Sequence, residues 1–538
     1  MSLRSEVPLK EQLQRGYRQR LKDLARGLAL PSLLIAVALA HALTLNRFPA
    51  PFVDEAWMAS RAWGWLQTGI NLGPLDSVVY QKLDGFGTFM PVLPTLIHAL
   101  AIRLLGFSLP ALRLASLAFA VGLLAAVYRI MVELTGSRRA GIIAVLLAST
   151  SLAAFQSMHL VRPDIFVAAL GYGAIALHLM GRRTGRSAFD LLAGLCVGAA
   201  FEIHVNAIIF APVLASMFLI QDGLTTLRGR RFWAFAAGLS TGLAAYAWLH
   251  VIRYPETYAI MGGGFSRTHL PPLLSTRLST LLASLYETAA LMLWQTLGRL
   301  VAIPVVALAL WRLRSKGSRQ MMLMSLVAFL SFALAIRNKQ YYYAILLTPL
   351  FDLLLAVWLD QQLAGKTGIT FSWRMSKAFT NLVVTASIGL AVVVVTTTPA
   401  PGEQHTVASY IRRSVPDTGS IMASQVYWFD LMDVPYLSWQ ELISPDPHSE
   451  TYLNDTLNAL RPKVFVIDGE VRQFILADNA DVPYSGFGRY RWDRRLPAET
   501  LNAFLACRGQ LAYRIETQVY STVEIYVIDW EKPIAACS

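Results

Sequence analysis

The feature that most constrains this chain is a succession of long apolar runs through its first 400 residues, with arginines and lysines recurring at alternate ends of the runs. A bilayer core takes about 20 apolar residues per helix, and Lys and Arg collect in loops on the cytoplasmic side. Basic turns occur at Arg138-Arg139, at Arg182-Arg183 with Arg186, at Arg228, Arg230 and Arg231, from Arg312 to Arg319, and from Lys366 to Lys377. Spans are expected near 28–46, 111–134, 140–159, 165–181, 188–204, 206–221, 232–250, 286–311, 320–337, 341–359 and 378–398. These make about eleven transmembrane helices, so a cytoplasmic N-terminus puts the C-terminal domain outside. Counting the apolar stretch 90–106 as a span would put Arg138-Arg139 on the wrong side. Its two prolines and Arg103 suit a helix lying along the outer surface.

Residues 1–27 carry Arg4, Lys10, Arg15, Arg18, Arg20, Lys22 and Arg26 ahead of the first apolar run. Leu13, Tyr17, Leu21 and Leu24 share one helical face, as in an amphipathic segment on an anionic membrane surface. A cleaved signal peptide is the alternative, with Ala38, Ala40 and Ala42 as small residues at cleavage spacing.

Charge sharpens the division. The formal net charge is +13, from 47 basic and 34 acidic residues. From residue 401 onward there are 12 basic and 18 acidic side chains, a net of −6, which leaves 35 − 16 = +19 in the first 400. Nucleic acid is therefore not needed as a partner, because topology accounts for the basic excess. With 55% hydrophobic and 15% charged residues, the chain is neither disordered nor an ordinary soluble enzyme. Two domains are expected: a membrane domain over 28–398 with outer loops 47–110 and 253–285, and an extracytoplasmic α/β domain over 399–538. In the latter, Val464-Phe465-Val466-Ile467 reads as a buried strand and 510–529 as two strands around Thr517 to Ser521, with helices near 404–413 and 497–506. Cys507 and Cys537 are either a disulfide or two free thiols there.

Acidic residues are few in the membrane domain, and each needs a reason. Asp54 and Glu55 follow the first span, with Arg61 two turns on along the helical face of Asp54. Asp164 follows Arg162-Pro163 at the outer mouth between two spans. Both aspartates also suit helix N-caps. Arg337 and Lys339 lie on the outer side, where the positive-inside rule does not predict cations; snorkelling to headgroups is the alternative. Tyr341-Tyr342-Tyr343 follows them and also suits an aromatic belt. Glu202, His204 and Asn206 read as a structural hydrogen-bond network at the outer end of a span rather than a metal site.

In order, Asp54-Glu55, Tyr80-Gln81-Lys82, Arg162-Pro163-Asp164 and Arg337 to Tyr343 leading into Thr348-Pro349-Leu350 resemble the C-type-fold (GT-C) membrane glycosyltransferases. The similar branch contains lipid A aminoarabinose transferases and protein O-mannosyltransferases, and the resemblance covers residues 28–360. Gln81, Leu83 and Glu202-Ile203-His204 depart from the branch's usual pattern. The resemblance implies a polytopic α-helical enzyme of the inner membrane. Such an enzyme moves a sugar from a polyprenyl-phosphate carrier to a glycolipid, glycan or protein acceptor on the periplasmic face. It implies Asp54 as general base and Asp164 as a second catalytic carboxylate. Lys82, Arg162 and Lys339 are the candidates for the phosphate, Tyr80 and Tyr342 are candidate hydrogen-bond donors, and Glu55, Arg61 and Arg337 are further substrate-binding candidates. A divalent cation, Mg or Mn, is open as a cofactor, with Asp54, Glu55 and Asp164 as candidate ligands. A flippase or transporter of polyprenyl-linked glycans is the alternative, and a receptor or assembly scaffold a further one.

Overall fold

The computed structural model describes residues 27–76, 85, 87, 90–259, 278–295, 316–337, 339–364, 385, 389, 392, 393, 396, 402–415, 419–442, 451–475 and 498–532. The amphipathic N-terminal segment, Tyr80, Lys82, the turn from Lys366 to Lys377 and most of the expected span 378–398 lie outside these residues.

The membrane domain is helical: α1 (Gly27–Ala42), α2 (Val53–Thr68), α3 (Val92–Leu105), α4 (Leu109–Thr135), α5 (Arg138–Ser149), α6 (Leu152–Met158), α7 (Asp164–Thr184), α8 (Ser187–Ile203), α9 (Phe210–Asp222), α10 (Arg230–Tyr246), α11 (Leu278–Gln295), α12 (Lys316–Ala335) and α13 (Thr348–Leu363). Among the described residues four helices are long and apolar enough to cross a membrane: α4, α7, α10 with its π-helical extension to Ile252, and α12. The expected span 140–159 is a bent pair, α5 and α6, turning 67° at the break. At 14 residues, α3 is about 21 Å long, short of a bilayer core of about 30 Å.

Local chemistry fixes the ends. Ser108 caps α4 by accepting from the Ala111 N–H at 3.3 Å, and Gly136, at φ 72°, closes it. Helices α8 and α10 pack at two glycine pairs with four-residue spacing. A Cβ on Gly198 would lie 2.7 Å from the Gly242 Cα, and one on Gly194 2.2 Å from the Phe235 carbonyl oxygen. This is the small-residue spacing that lets helix backbones approach in membranes. At one end of the bundle the basic turns meet acids: Arg139 pairs with Asp360, Arg129 and Arg183 with Glu133, and Arg231 with Asp190, which also accepts from His178 at 2.8 Å.

The C-terminal residues form a five-stranded sheet. Helix α14 (Gly402–Ser414) precedes β1 (Ile421–Ala423) and β2 (Tyr436–Ser438). Then come α15 (Tyr452–Leu460), β3 (Val464–Ile467), α16 (Gly469–Ile475), α17 (Ala498–Arg508), β4 (Gly509–Glu516) and β5 (Thr522–Ile528). The order is β2-β1-β3-β5-β4, with β1 parallel to both neighbours and β5 antiparallel to both of its own. β3 is apolar throughout because both faces are covered. Phe465 and Ile467 pack with Leu453, Leu457, Leu501 and Leu505. Val464 and Val466 face the other way, into a core shared with Val407 and Ile411 of α14 and with Ala56, Ala59 and Ala62 of α2. The α/β domain is thereby joined to the first outer loop by common apolar burial. Cys507 is in a disulfide, Cys196 is free, and Cys537 lies outside the described residues.

Candidate functional site

Three separate segments meet at Arg162, its own among them. Asp54 stands in the first turn of α2, and Asp164 opens α7 directly after Pro163. The Arg162 guanidinium pairs with Asp54, and its Nε donates to Asp164 Oδ2 at 2.9 Å. Tyr342, from the 3-10 turn Tyr341–Leu346 ahead of α13, lies under the same guanidinium, 3.4 Å from ring centroid to Cζ. Phe52 is on a further side at 6.0 Å. Arg162 and Asp164 are buried, whereas the Asp54 side chain keeps 30% exposure. A planar fork of donors suits this, since one guanidinium can hold two carboxylates and stack on an aromatic face. The result is a partly open carboxylate beside a buried, immobilised cation.

Glu55 does different work from its neighbour. It is fully buried, and its carboxylate accepts four hydrogen bonds. Arg113 Nε and the Val161 N–H reach Oε1 at 2.9 Å, while Arg113 Nη2 at 2.7 Å and the Phe52 N–H at 3.0 Å reach Oε2. Arg113, also buried, donates onward to the Leu45 carbonyl at 2.6 Å. Glu55 therefore ties the start of α2 to α4 and to the turn that carries Arg162. Ser116 holds the same turn by donating to the Leu160 carbonyl at 2.7 Å. His159 holds it from below, between Thr44 Oγ1 at 2.8 Å and the Phe155 carbonyl at 2.7 Å. Four accepted hydrogen bonds fill a carboxylate's capacity.

The candidate metal set thus does not form. Glu55 is saturated, and Asp54 and Asp164 meet across a cation rather than across an open position. Among the described residues no group of three or more His, Cys, Asp or Glu is placed to hold a metal ion.

Arg61 is buried and forms a fork with Asp76, with Nη2–Oδ1 2.5 Å and Nε 3.0 Å from each oxygen. Its guanidinium lies 4.2 Å from the Trp57 ring, and Trp57 Nε1 donates to the same Asp76 at 2.6 Å. It braces the loop after α2. Arg337 is exposed just past α12. Lys339 is buried at that helix end, with Nζ 3.3 Å from the Ala333 carbonyl and 5.4 Å from the Phe332 ring, three residues from the tyrosine that stacks on Arg162. Glu202 accepts from the Val92 N–H at 2.6 Å and also from the Leu93 N–H, so it caps α3, and His250 lies 3.3 Å from it.

The residues that sequence reasoning passed over are Arg113 and Asp76. Arg113 carried a signal, a cation inside an apolar run at the outer end of its span. Asp76 carried none beyond its charge.

A family model described as dolichyl-phosphate-mannose-protein mannosyltransferase matches residues 90–250. No curated protein matches the sequence. Among solved structures, ArnT from Cupriavidus metallidurans bound to undecaprenyl phosphate is similar at a TM-score of 0.62 and 12% identity, over 93% of this chain and 98% of that one. The same protein in the apo state gives 0.60 and 14%, over 86% and 97%. An oligosaccharyltransferase from Archaeoglobus fulgidus gives 0.53 and 13%, over 91% and 80%. The chain has the C-type glycosyltransferase fold: a helical membrane part with at least four apolar helices and a small C-terminal sheet.

Proposed function

Because the chain shares that fold, we propose that it is a membrane glycosyltransferase moving a sugar from a polyprenyl-phosphate carrier to an acceptor hydroxyl on the outer face, with Asp54 as general base. The observation that carries the reading is the Asp54–Arg162–Asp164 constellation under Tyr342, assembled from segments more than 100 residues apart. In the reaction the acceptor oxygen bonds to the anomeric carbon, its proton passes to Asp54, and the carbon–oxygen bond to phosphate breaks with its electron pair leaving on the polyprenyl phosphate. Two groups are then needed, a carboxylate open enough to take a proton and a fixed cation for the phosphate. Asp54 is the more exposed of the two aspartates, and Arg162 is the cation beside it. An incoming phosphate competes with Asp54 for Arg162, which frees the carboxylate as the leaving group gains its partner. Asp164, buried on Nε, keeps Arg162 aimed throughout. The basic turns, which gather at the other end of the bundle, support an outer location for the site.

The test is transfer of labelled sugar from polyprenyl-phosphate donors in membrane extracts by purified protein. Asp54→Asn is expected to lower the rate by about 10²–10⁴-fold, the usual worth of a general base, while the protein stays folded because the side chain is partly exposed. Equal transfer by Asp54→Asn refutes the assignment.

A further inference from the structure

The C-terminal domain presents to the membrane domain the edge at which open α/β sheets ordinarily receive ligands. β2 and β3 flank β1 on opposite sides, so the chain order reverses beside β1, and ligands of such sheets bind outside the carboxyl ends of the strands at that reversal. The residues just past those ends are Ser424 to Tyr427 after β1 and Asp468 to Glu470 after β3. Here the edge holds protein. Val426, Tyr427 and Trp428 share one apolar core with Ala56, Ala59 and Ala62 of α2.

At the centre of the joint is Tyr520, from the turn between β4 and β5. It is 9% exposed, its hydroxyl lies 3.5 Å from the Pro51 carbonyl, and Pro51 precedes Asp54 by three residues. The turn is held from three sides. Glu403 of α14 accepts from the Gln518 N–H at 2.9 Å and the Val519 N–H at 3.0 Å. The Tyr520 carbonyl accepts from the Gly469 N–H at 2.8 Å, and its N–H donates to Thr517 Oγ1 at 2.9 Å. Tyr427 packs against the ring at 5.5 Å and donates to Asp468 Oδ2 at 3.1 Å. A buried tyrosine hydroxyl seeks a partner, and the acceptor in reach of this one, at the long limit of a hydrogen bond, is the Pro51 carbonyl on the backbone that leads into the Asp54 turn. That backbone is held from its far side by Glu55, through the Phe52 N–H.

We propose that Tyr520 is a positioning residue for glycosyl transfer: from the C-terminal domain it fixes the Pro51–Phe52 backbone and, through it, the carboxylate of Asp54. The domain is then part of the scaffold of the reaction centre rather than a detachable acceptor-binding module. This rests on the glycosyl-transfer reading of Asp54.

The experiment compares kcat and donor KM of wild type and Tyr520→Phe, alone and in an Asp54→Glu background, with thermal unfolding of each variant alongside. The phenylalanine keeps the packing and removes only the hydroxyl. The expected result is a kcat lower by about threefold, the low end of what one hydrogen bond is worth, as suits a long contact. KM stays unchanged, the melting temperature falls by no more than a few degrees, and the loss shrinks when Asp54 is replaced, because residues acting through one another are not additive. A kcat within about twofold of wild type refutes the proposal. So does an equal loss in both backgrounds, or a loss accounted for by unfolded protein. Wild type that transfers no sugar refutes the glycosyl-transfer reading itself, and the proposal falls with it.

Discussion

Breaking the Glu55–Arg113 pair separates a structural role for Glu55 from a substrate-binding one. Both side chains are essentially without solvent contact, at 0% and 1% exposure, and they meet through two parallel hydrogen bonds of 2.9 and 2.7 Å. Removing one partner of such a pair costs about 3–5 kcal/mol, because a buried charge is left unmatched. Arg113→Ala leaves the carboxylate its two backbone donors and is expected near the lower end. Glu55→Ala also orphans the Phe52 and Val161 N–H groups, each worth about 1–3 kcal/mol, and is expected to cost more. The double variant should cost less than the sum, since each single change already forfeits the shared contacts. Equilibrium unfolding in mixed detergent micelles, followed by tryptophan fluorescence, measures all three against wild type. Losses below about 1 kcal/mol for both single variants, or strict additivity, would refute a buried bracing pair. In that event a raised donor KM without loss of stability would return Glu55 to the substrate.

Arg162→Lys keeps the charge but loses the planar fork shared between Asp54 and Asp164. Donor KM should rise and kcat fall in the transfer assay, and unchanged kinetics would mean that a point charge suffices. In the C-terminal domain burial raises the Asp468 and Glu470 carboxyls above the ordinary carboxylate range, Glu470 also through the charge of Asp468. Their neutral forms are favoured in the folded state, so the stability they contribute is full below their unfolded values and is lost as pH rises through the raised folded ones. Unfolding of this domain should become easier from mildly acidic toward mildly alkaline pH, and Glu470→Gln should flatten that dependence. A profile that Glu470→Gln leaves unchanged refutes the assignment. In a Cys196→Ala background, Thr406→Cys should react with an impermeant alkylating reagent added to intact cells and Thr184→Cys should not; the reverse pattern overturns the orientation.

The membrane helices and the later strands were legible because their signals are local. A run such as 111–134 is apolar over a bilayer's length whatever surrounds it, and Val464 to Ile467 is apolar on both faces because helices cover both. β1 and β2, three residues each, are too short to carry a pattern and exist through pairing, β1 with β3 and β2 with β1. Gly194, Gly198, Gly238 and Gly242 had a readable spacing, yet only packing shows that they face one another.

By itself the sequence determined a basic, helical membrane domain, an acidic α/β domain, and a short set of outer acids and cations that includes Asp54, Arg162 and Asp164. Tertiary structure decided which of them work together. Adjacent helical residues point about 100° apart, so Asp54 keeps a partly exposed carboxylate while Glu55, one residue on, is sealed against Arg113 from another helix. Arg61 shares a helical face with Asp54 but is bound by Asp76 across a loop. Each pairing joins residues distant along the chain, and a carboxylate's role is set by the donors that packing brings to it.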